Sequence, residues 1–529
     1  MAKRVRTKSV FPETQREHIK QLIEWMSQGV YEKEHIIAVA LLCAVSRENL
    51  FLLGPPGTAK SMVASRLKMV FKNGKSFDYL MSRFSTPDEI FGPISISRLK
   101  NEDRYERLVA GYLPEADVVF LDEIWKAGPS IQNTLLTVIN EHIFHNGGQI
   151  LHTPMKVLIA ASNELPAKDG GLEALWDRFL MRMVSNCIEN DTSFFKMLQN
   201  EQTELKPLSE QLYITDELYD KWQSETRSVT LSESVTNAIK SLRKILSAHE
   251  KEDGNQLRYY ISDRRWRKAY RLMQTSAYLN GRDEIDLTDY LLLIHCFWND
   301  VEVIPNVLAA FTKSISEPVV KQMNKIDKAI RQMMTNSSQP AQPQSSKINT
   351  ETNDFAEFDY FYYIVENYPD GITYFSKWDY ASLTTTPRDG VRYYDSNRKK
   401  IIIHTLIPGR PFDAKSQNAS NLTKVRVQKC QNGAIIDGTP YSFKRKNQPS
   451  QICEGIQTLP VYQRIGVIQD IFKECVKQWD SLVEKNWTNC DNIFLSSADL
   501  TLVNKMVKEV NELIKTTEVK LNNVVMLIK

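Results

Sequence analysis

No run of about 18 or more apolar residues occurs anywhere in the 529-residue chain, so no segment reads as a membrane-spanning helix. The basic start MAKRVRTKSVFPETQ lacks the apolar stretch of a secretory signal. Cysteine pairs spaced C-x-x-C are missing as well. The seven cysteines (Cys43, Cys187, Cys296, Cys430, Cys453, Cys475 and Cys490) stand singly. An odd, dispersed set excludes a disulfide frame and a cysteine-built zinc site, and reads as reduced thiols in a cytoplasmic protein. Charge of one sign is missing too: 67 Lys+Arg against 64 Asp+Glu leave a formal net charge of +3. That balance argues against a generally polyanion-seeking chain, though it leaves room for a local basic face. No internal repeat is found. What is present is ordinary globular material, 42% hydrophobic and 25% charged, enough for about three domains at roughly 100–200 residues each.

Three textures follow one another. Up to about residue 300, short apolar runs (FLLGPPG, ADVVFLDE, KVLIAAS) alternate with helix-like stretches, the pattern of buried parallel strands flanked by helices. From Leu205 the pattern turns helical, as in SESVTNAIKSLRKILSAHE and RRWRKAYRLMQTSAYLN. Val319, Met323, Ile326, Ile330 and Met333 then draw one apolar stripe on a helix. A Ser-, Gln- and Pro-rich tract follows and reads as a flexible linker over 336–354. Strand-like runs (ITYF, VRYY, KKIIIHTLI, TKVRVQKC) between turn signals occupy 355–450, and two long helical patterns close the chain. The expected domains are therefore an α/β core over 1–200, an all-α lobe over 201–300, a discontinuous helical bundle from 301–335 plus 455–529, and a small β-rich domain inserted in it.

The most informative motif is Gly54-Pro55-Pro56-Gly57-Thr58-Ala59-Lys60-Ser61, directly after an apolar run. A strand, a tight loop and a helix starting near Lys60 aim backbone N–H groups and the helix dipole at a polyphosphate. Lys60 would reach the β- and γ-phosphates, and the Ser61 hydroxyl would ligate Mg2+. Ala59 departs from the signature, which has glycine there. Farther on, Val118-Val119-Phe120-Leu121-Asp122-Glu123 is a buried strand ending in two carboxylates. Asp122 would orient the Mg2+ shell, and Glu123 would act as general base on the attacking water. Asn163 ends the third strand and can hold that water. Arg178, in LWDRF, and Arg264-Arg265, opening a helix, can stabilise charge on a transferring phosphoryl group.

With these residues in place, GPPGTAKS, VVFLDE, AASNE, LWDRF and SDRRW occur in an order and spacing that resembles the MoxR family of AAA+ ATPases. The resemblance is closest to the regulatory ATPase variant A (RavA) branch, which also carries alanine in the phosphate loop. The stretch from Arg83 to Pro129 is similar to that branch along its length. The likeness covers roughly residues 10 to 300. It implies an AAA+ P-loop core with an all-α lid, ATP and Mg2+ as cofactors, and hydrolysis of ATP. It further implies Asn163 as sensor 1, Arg178 as the finger that completes a neighbouring subunit's site, and Arg264 or Arg265 as sensor 2. Tyr31 stands where the family lines the adenine pocket; packing at a helix start is the alternative. Phe91 to Tyr112 would be the helix-2 insert, and Glu141 to Pro154 a β-hairpin turning at Asn146-Gly147. The family assembles as hexameric rings, remodels or matures protein clients, and commonly works with a von Willebrand factor A-domain protein.

The resemblance leaves the β-rich segment open. Residues 351–390 hold eight acidic and two basic residues, whereas 391–450 hold twelve basic and three acidic ones. The two halves can neutralise one another, the basic face can dock an acidic protein partner, or it can bind nucleic acid beside Tyr393, Tyr394 and Phe443. Two alternatives to the protein-remodelling motor follow: a nucleic-acid-remodelling ATPase and a nucleotide-gated scaffold.

Overall fold

The computed structural model describes residues 14–167, 171–199, 205–252, 259–336, shorter stretches between 357 and 443, and then 461–488 and 492–528. The tract read as a linker lies, from 337 on, outside the described residues. The chain divides into two compact units, residues 1–330 with 471–527, and residues 331–470 with the last two.

The first unit is built on a five-stranded sheet: β1 (Leu50–Leu53), β2 (Ser76–Leu80), β3 (Val118–Asp122), β6 (Val157–Ser162) and β7 (Met181–Val184). Its order is β2-β3-β6-β1-β7, and every pairing is parallel. The three apolar runs that stand out in the sequence are its three inner strands, buried almost throughout. The two edge strands carry weaker signals: β2 alternates between exposed and buried, and β7 is only four residues long. Helices α2 (Glu34–Ser46) and α3 (Lys60–Lys68) pack beside this sheet, and α1 (Gln15–Met26) packs on those two helices. Apolar on all sides, α2 is buried from Ile36 to Ser46.

Two short helices, α4 (Pro87–Phe91) and α5 (Ile96–Glu102), fill the region before β3, and α6 (Pro129–Glu141) follows that strand. A hairpin, β4 (Ile143–Asn146) with β5 (Gln149–His152), leads into β6. Asn146 pairs with Gln149, so the turn lies on Gly147-Gly148, one residue later than the sequence suggests. Both glycines have positive φ (58° and 90°), as a tight primed hairpin turn demands. Asn146 is a strand residue because its side chain is needed elsewhere: Oδ1 accepts from Arg107 N at 2.6 Å and Nδ2 donates to Arg107 O at 3.0 Å.

After α7 (Glu173–Trp176) and α8 (Asp191–Gln199) comes a helical lid of α9 (Asp216–Glu225), α10 (Glu233–Glu252), α11 (Asp263–Leu279) and α12 (Leu287–Leu291). A two-residue parallel pairing of β8 (Thr230–Leu231) with β9 (Glu284–Ile285) ties it together. Three long helices follow: α13 (Ile304–Asn336), α14 (Val461–Val483) and α15 (Ser497–Ile528). Of the apolar stripe, Met323, Ile326, Ile330 and Met333 are buried. Lys520 on α15 pairs with Asp327 on α13 at 2.5 Å, and Trp479 on α14 donates to Asn511 on α15 at 2.9 Å. No described helix is long and apolar enough to cross a membrane.

The second unit holds an eight-stranded sheet: β10 (Glu357–Phe358), β11 (Tyr362–Val365), β12 (Thr373–Ser376), β13 (Arg388–Asp395), β14 (Lys400–Thr405), β15 (Ala419–Cys430), β16 (Gly433–Ile436) and β17 (Thr439–Ser442). All its pairings are antiparallel except β12 with β14, in the order β10-β11-β12-β14-β13-β15-β16-β17. Tyr363, Phe375, Tyr380 and Phe443 form its core with aliphatic neighbours. The aromatic richness of this region is thus mostly core. Tyr393 and Phe443 are buried, so they belong to that core and offer no surface on which bases could stack.

Candidate nucleotide site

Register alone brings the sequence motifs together. Leu53 lies opposite Ser162, and Asp122 opposite Ala161, so β1, β3 and β6 end flush. The phosphate loop, the Asp122-Glu123 pair and Asn163 therefore leave the sheet at the same carboxyl edge, where ligands of open α/β sheets bind.

The loop is held by its own backbone and by β7. Gly54 N–H donates to the Ser162 carbonyl at 3.1 Å, and Ser185 Oγ donates to the Thr58 carbonyl at 3.0 Å. A Cβ on Gly54 would stand 2.1 Å from the Ser185 carbonyl oxygen, so only glycine fits. Gly57 has φ +81°, and Thr58 closes the turn by donating to Pro55 O at 2.9 Å. Ala59 is left-handed, at φ 62° and ψ 19°, which explains why glycine is usual there. Helix α3 starts at the next residue, and no side chain caps it, so its first N–H groups point out of the loop unclaimed by a cap.

Lys60 is buried, and its Nζ donates to the Gly54 and Pro55 carbonyls at 2.6 and 2.9 Å. Burial pulls its ammonium below the usual lysine range, against the opposing pull of Asp122 and Glu123. Ser61 is exposed. Its hydroxyl and the Asp122 carboxylate are both hard oxygen donors, a set that suits Mg2+. Asp122 Oδ1 accepts the Glu123 N–H at 3.0 Å. Glu123 itself has φ 53°, and this break at the strand's end lets two adjacent carboxylates escape the alternation of the sheet. Its side chain is 3.4 Å from Lys126 Nζ. Asn163 is exposed just past β6.

The arginines fall into different surroundings. Arg178 follows α7, whose Trp176 packs with Phe51, Trp125 and Trp298. Its Nη1 is 3.8 Å from Asp177, while its Nε is buried with no hydrogen-bond partner. Burial and the nearby Arg264 both lower its pKa. Arg264 reaches Asn140 Oδ1 at 3.2 Å from the surface of α11. Arg265 is 1% exposed and grips Asn299 Oδ1 with both terminal nitrogens, at 2.9 and 3.0 Å. Burial brings its pKa down to about 10, so it stays charged at neutral pH.

Tyr31 is half-buried, and its hydroxyl donates to the Lys196 carbonyl at 3.5 Å. Two neighbours that sequence reasoning missed fix this loop to the segment after β7. Glu32 accepts the backbone N–H groups of Glu189 and Asn190 at 2.8 and 3.0 Å, and Lys33 donates to the Asn186 carbonyl at 2.9 Å. No local pattern marks them, because their partners lie some 150 residues away.

Residues 17–223 match the family model of the MoxR domain in the MoxR–vWA–beta-propeller ternary systems, and residues 234–311 match that of an AAA lid domain. Uncharacterized protein MJ0812 of Methanocaldococcus jannaschii is 37% identical over 320 residues, 59% of this chain and 82% of that protein. Uncharacterized protein MJ0079 of the same organism is 36% identical over 305 residues, 57% of this chain and 76% of that protein. A crystal structure from Cytophaga hutchinsonii, described as that of a candidate ATPase, is similar at 17% identity over 56% of this chain and 94% of its own, with a TM-score of 0.46.

Proposed function

This chain belongs to the MoxR family of AAA+ ATPases, an ATP-hydrolysing class, and on that premise we propose that it is a ring-forming motor that remodels or matures a protein client. The observation that carries this reading is the flush ending of β1, β3 and β6, which gathers phosphate loop, carboxylate pair and terminal amide at one edge.

Lys60 and the first N–H groups of α3 hold the β- and γ-phosphates, which replace the Gly54 and Pro55 carbonyls as partners of the ammonium. Ser61 and Asp122 hold Mg2+, which supplies charge neutralisation on the phosphate oxygens. Asn163 fixes the attacking water, and Glu123 takes its proton. Arg178 supplies positive charge to the site of the next subunit, and Arg264, exposed where Arg265 is locked inside, acts on nucleotide from the lid. Tyr31 borders the adenine. A site shared in this way supports the hexameric ring that the family resemblance implies. The family model's description supports a von Willebrand factor A-domain partner. Ala59 and the stretch from Arg83 to Pro129 support a place near the regulatory ATPase variant A branch. A cytoplasmic setting fits the scattered thiols. On the β-rich unit, Lys424 and Arg426 are exposed while Val425 and Val427 are buried, and that basic strand face suits an acidic protein partner.

ATP turnover measured together with assembly mass tests the reading. Wild type is expected to hydrolyse ATP; Glu123→Gln and Arg178→Ala are each expected to bind ATP but lose at least about a hundredfold in rate. Mixing the two variants should restore part of the activity, because a mixed ring contains some sites with both groups intact. Turnover that survives both substitutions would show the catalytic assignment to be wrong.

A further inference from the structure

His35, His295 and Asp499 are separated by hundreds of residues, yet each aims one ligand-type atom into the same small space. His35 stands near the start of α2 in the core, His295 in the turn after α12 in the lid, and Asp499 in the first turn of α15. His295 Nε2 is 3.3 Å from Asp499 Oδ1, His35 Nε2 is 3.8 Å from Asp499 Oδ2, and the three ligand atoms lie within 4.8 Å of one another. The two imidazole rings meet edge to face with centroids 5.2 Å apart. Asp499 is 4% exposed.

Both Nε2 atoms are buried, and although each faces Asp499 at ion-pair distance, neither makes a well-aligned hydrogen bond. Two unsatisfied ring nitrogens converging on one buried carboxylate are costly unless something else binds all three. A tetrahedral ion with bonds of about 2.0–2.1 Å sets its ligand atoms about 3.3 Å apart; His295 and Asp499 already stand at that spacing, and His35 has to draw in from 3.8 Å. The outer contacts have the form such a site needs. Asp499 Oδ2 accepts from Ser496 N and Oγ at 2.9 and 2.7 Å. Those bonds orient the carboxylate from behind.

We propose that His35, His295 and Asp499 bind one divalent transition-metal ion, zinc by ligand chemistry, which fastens the start of α15 to both the core and the lid. Two imidazoles and a carboxylate suit zinc and its neighbours, unlike the all-oxygen set at Ser61 and Asp122. The fastening has polar support beside it. Asn492 Nδ2 donates to Asp289 and Thr288 at 3.1 Å each, and Ile493 N donates to Asn280 Oδ1 at 3.1 Å, so the segment before α15 is already seated on the lid.

The test uses the full chain after chelator treatment, titrated with Zn2+ alone by calorimetry and with Co2+ by absorption. The expected result is one ion per chain, visible Co2+ bands of a nitrogen–oxygen site, and slower amide exchange across 496–506 when zinc is bound. His295→Ala and His35→Gln should each weaken binding at least about tenfold. Binding unchanged in both variants, a thiolate-to-cobalt band indicating a cysteine such as exposed Cys187, or unaltered exchange at 496–506 would each overturn it. Should a variant fail to fold, the wild-type cobalt spectrum and exchange pattern decide the matter.

Discussion

Ala59 holds a conformation that L-residues pay about 1–2 kcal/mol to adopt, in the loop between β1 and α3. Glycine there would remove that strain but give the unfolded chain more freedom, at about 0.4–1 kcal/mol. The balance predicts that Ala59→Gly raises stability by up to about 1.6 kcal/mol, with nucleotide affinity retained. Ala59→Val should lose both, since a β-branched residue is a steric outlier at this φ. Thermal unfolding with and without ATP measures both, and a destabilised Ala59→Gly would refute the strain argument. The adjacent arginines differ as sharply. Arg265→Ala removes a buried guanidinium from Asn299 and Asp177 and should cost about 2–4 kcal/mol. Arg264→Ala should leave the melting temperature within about 1 °C and lower turnover instead. If Arg265→Ala melts like wild type, its role is not structural.

At the scale of elements, the β4–β5 hairpin is held by a side chain imitating a strand. Asn146 occupies both the N–H and the carbonyl of Arg107, coupling the hairpin to the segment between α5 and β3. A Cβ on Gly147 would come 2.2 Å from Glu106 Cγ and 2.8 Å from the Tyr105 carbonyl, so the turn lies tight against that segment. Asn146→Ala should cost about 1–3 kcal/mol locally and speed amide exchange at 105–108 and 143–152 together. Unchanged exchange at 105–108 would show that the two insertions are not coupled through Asn146. The hairpin is legible in the sequence from its Asn-Gly signal. The shift of its turn by one residue is not, because it depends on a partner on another segment.

Across the whole first unit, charge and burial make stability depend on pH through identifiable groups. Burial, then Arg47, Lys268 and Arg271, push the His142 pKa down to about 4 from 6.5. The folded state therefore binds fewer protons than the unfolded one between those values, and stability is lost as pH falls through that window. His142→Gln cannot take up that proton, so the stability of the variant relative to wild type should grow as pH drops from about 6.5 towards 4. Denaturant melts of both chains at several pH values check this; parallel curves would assign the acid sensitivity to other groups.

What the sequence determined by itself is local. Gly54 to Ser61 and Val118 to Glu123 are contiguous, and their chemistry follows from a strand, a turn and a helix start that nearby residues dictate. The three inner strands were equally legible, because burial on both faces writes an unbroken apolar run. The edge strands β2 and β7, and half of the eight-stranded sheet, were not, since half-exposed or short strands lack that signature. Tertiary structure alone decided what depends on distant partners. The register of β1, β3 and β6 gathers the site, and burial against Asn299 separates Arg265 from Arg264. Packing of core, lid and α15 sets His35, His295 and Asp499 face to face. Contacts between residues hundreds of positions apart are set by how helices and sheet bury their apolar faces, and no spacing along the chain encodes them.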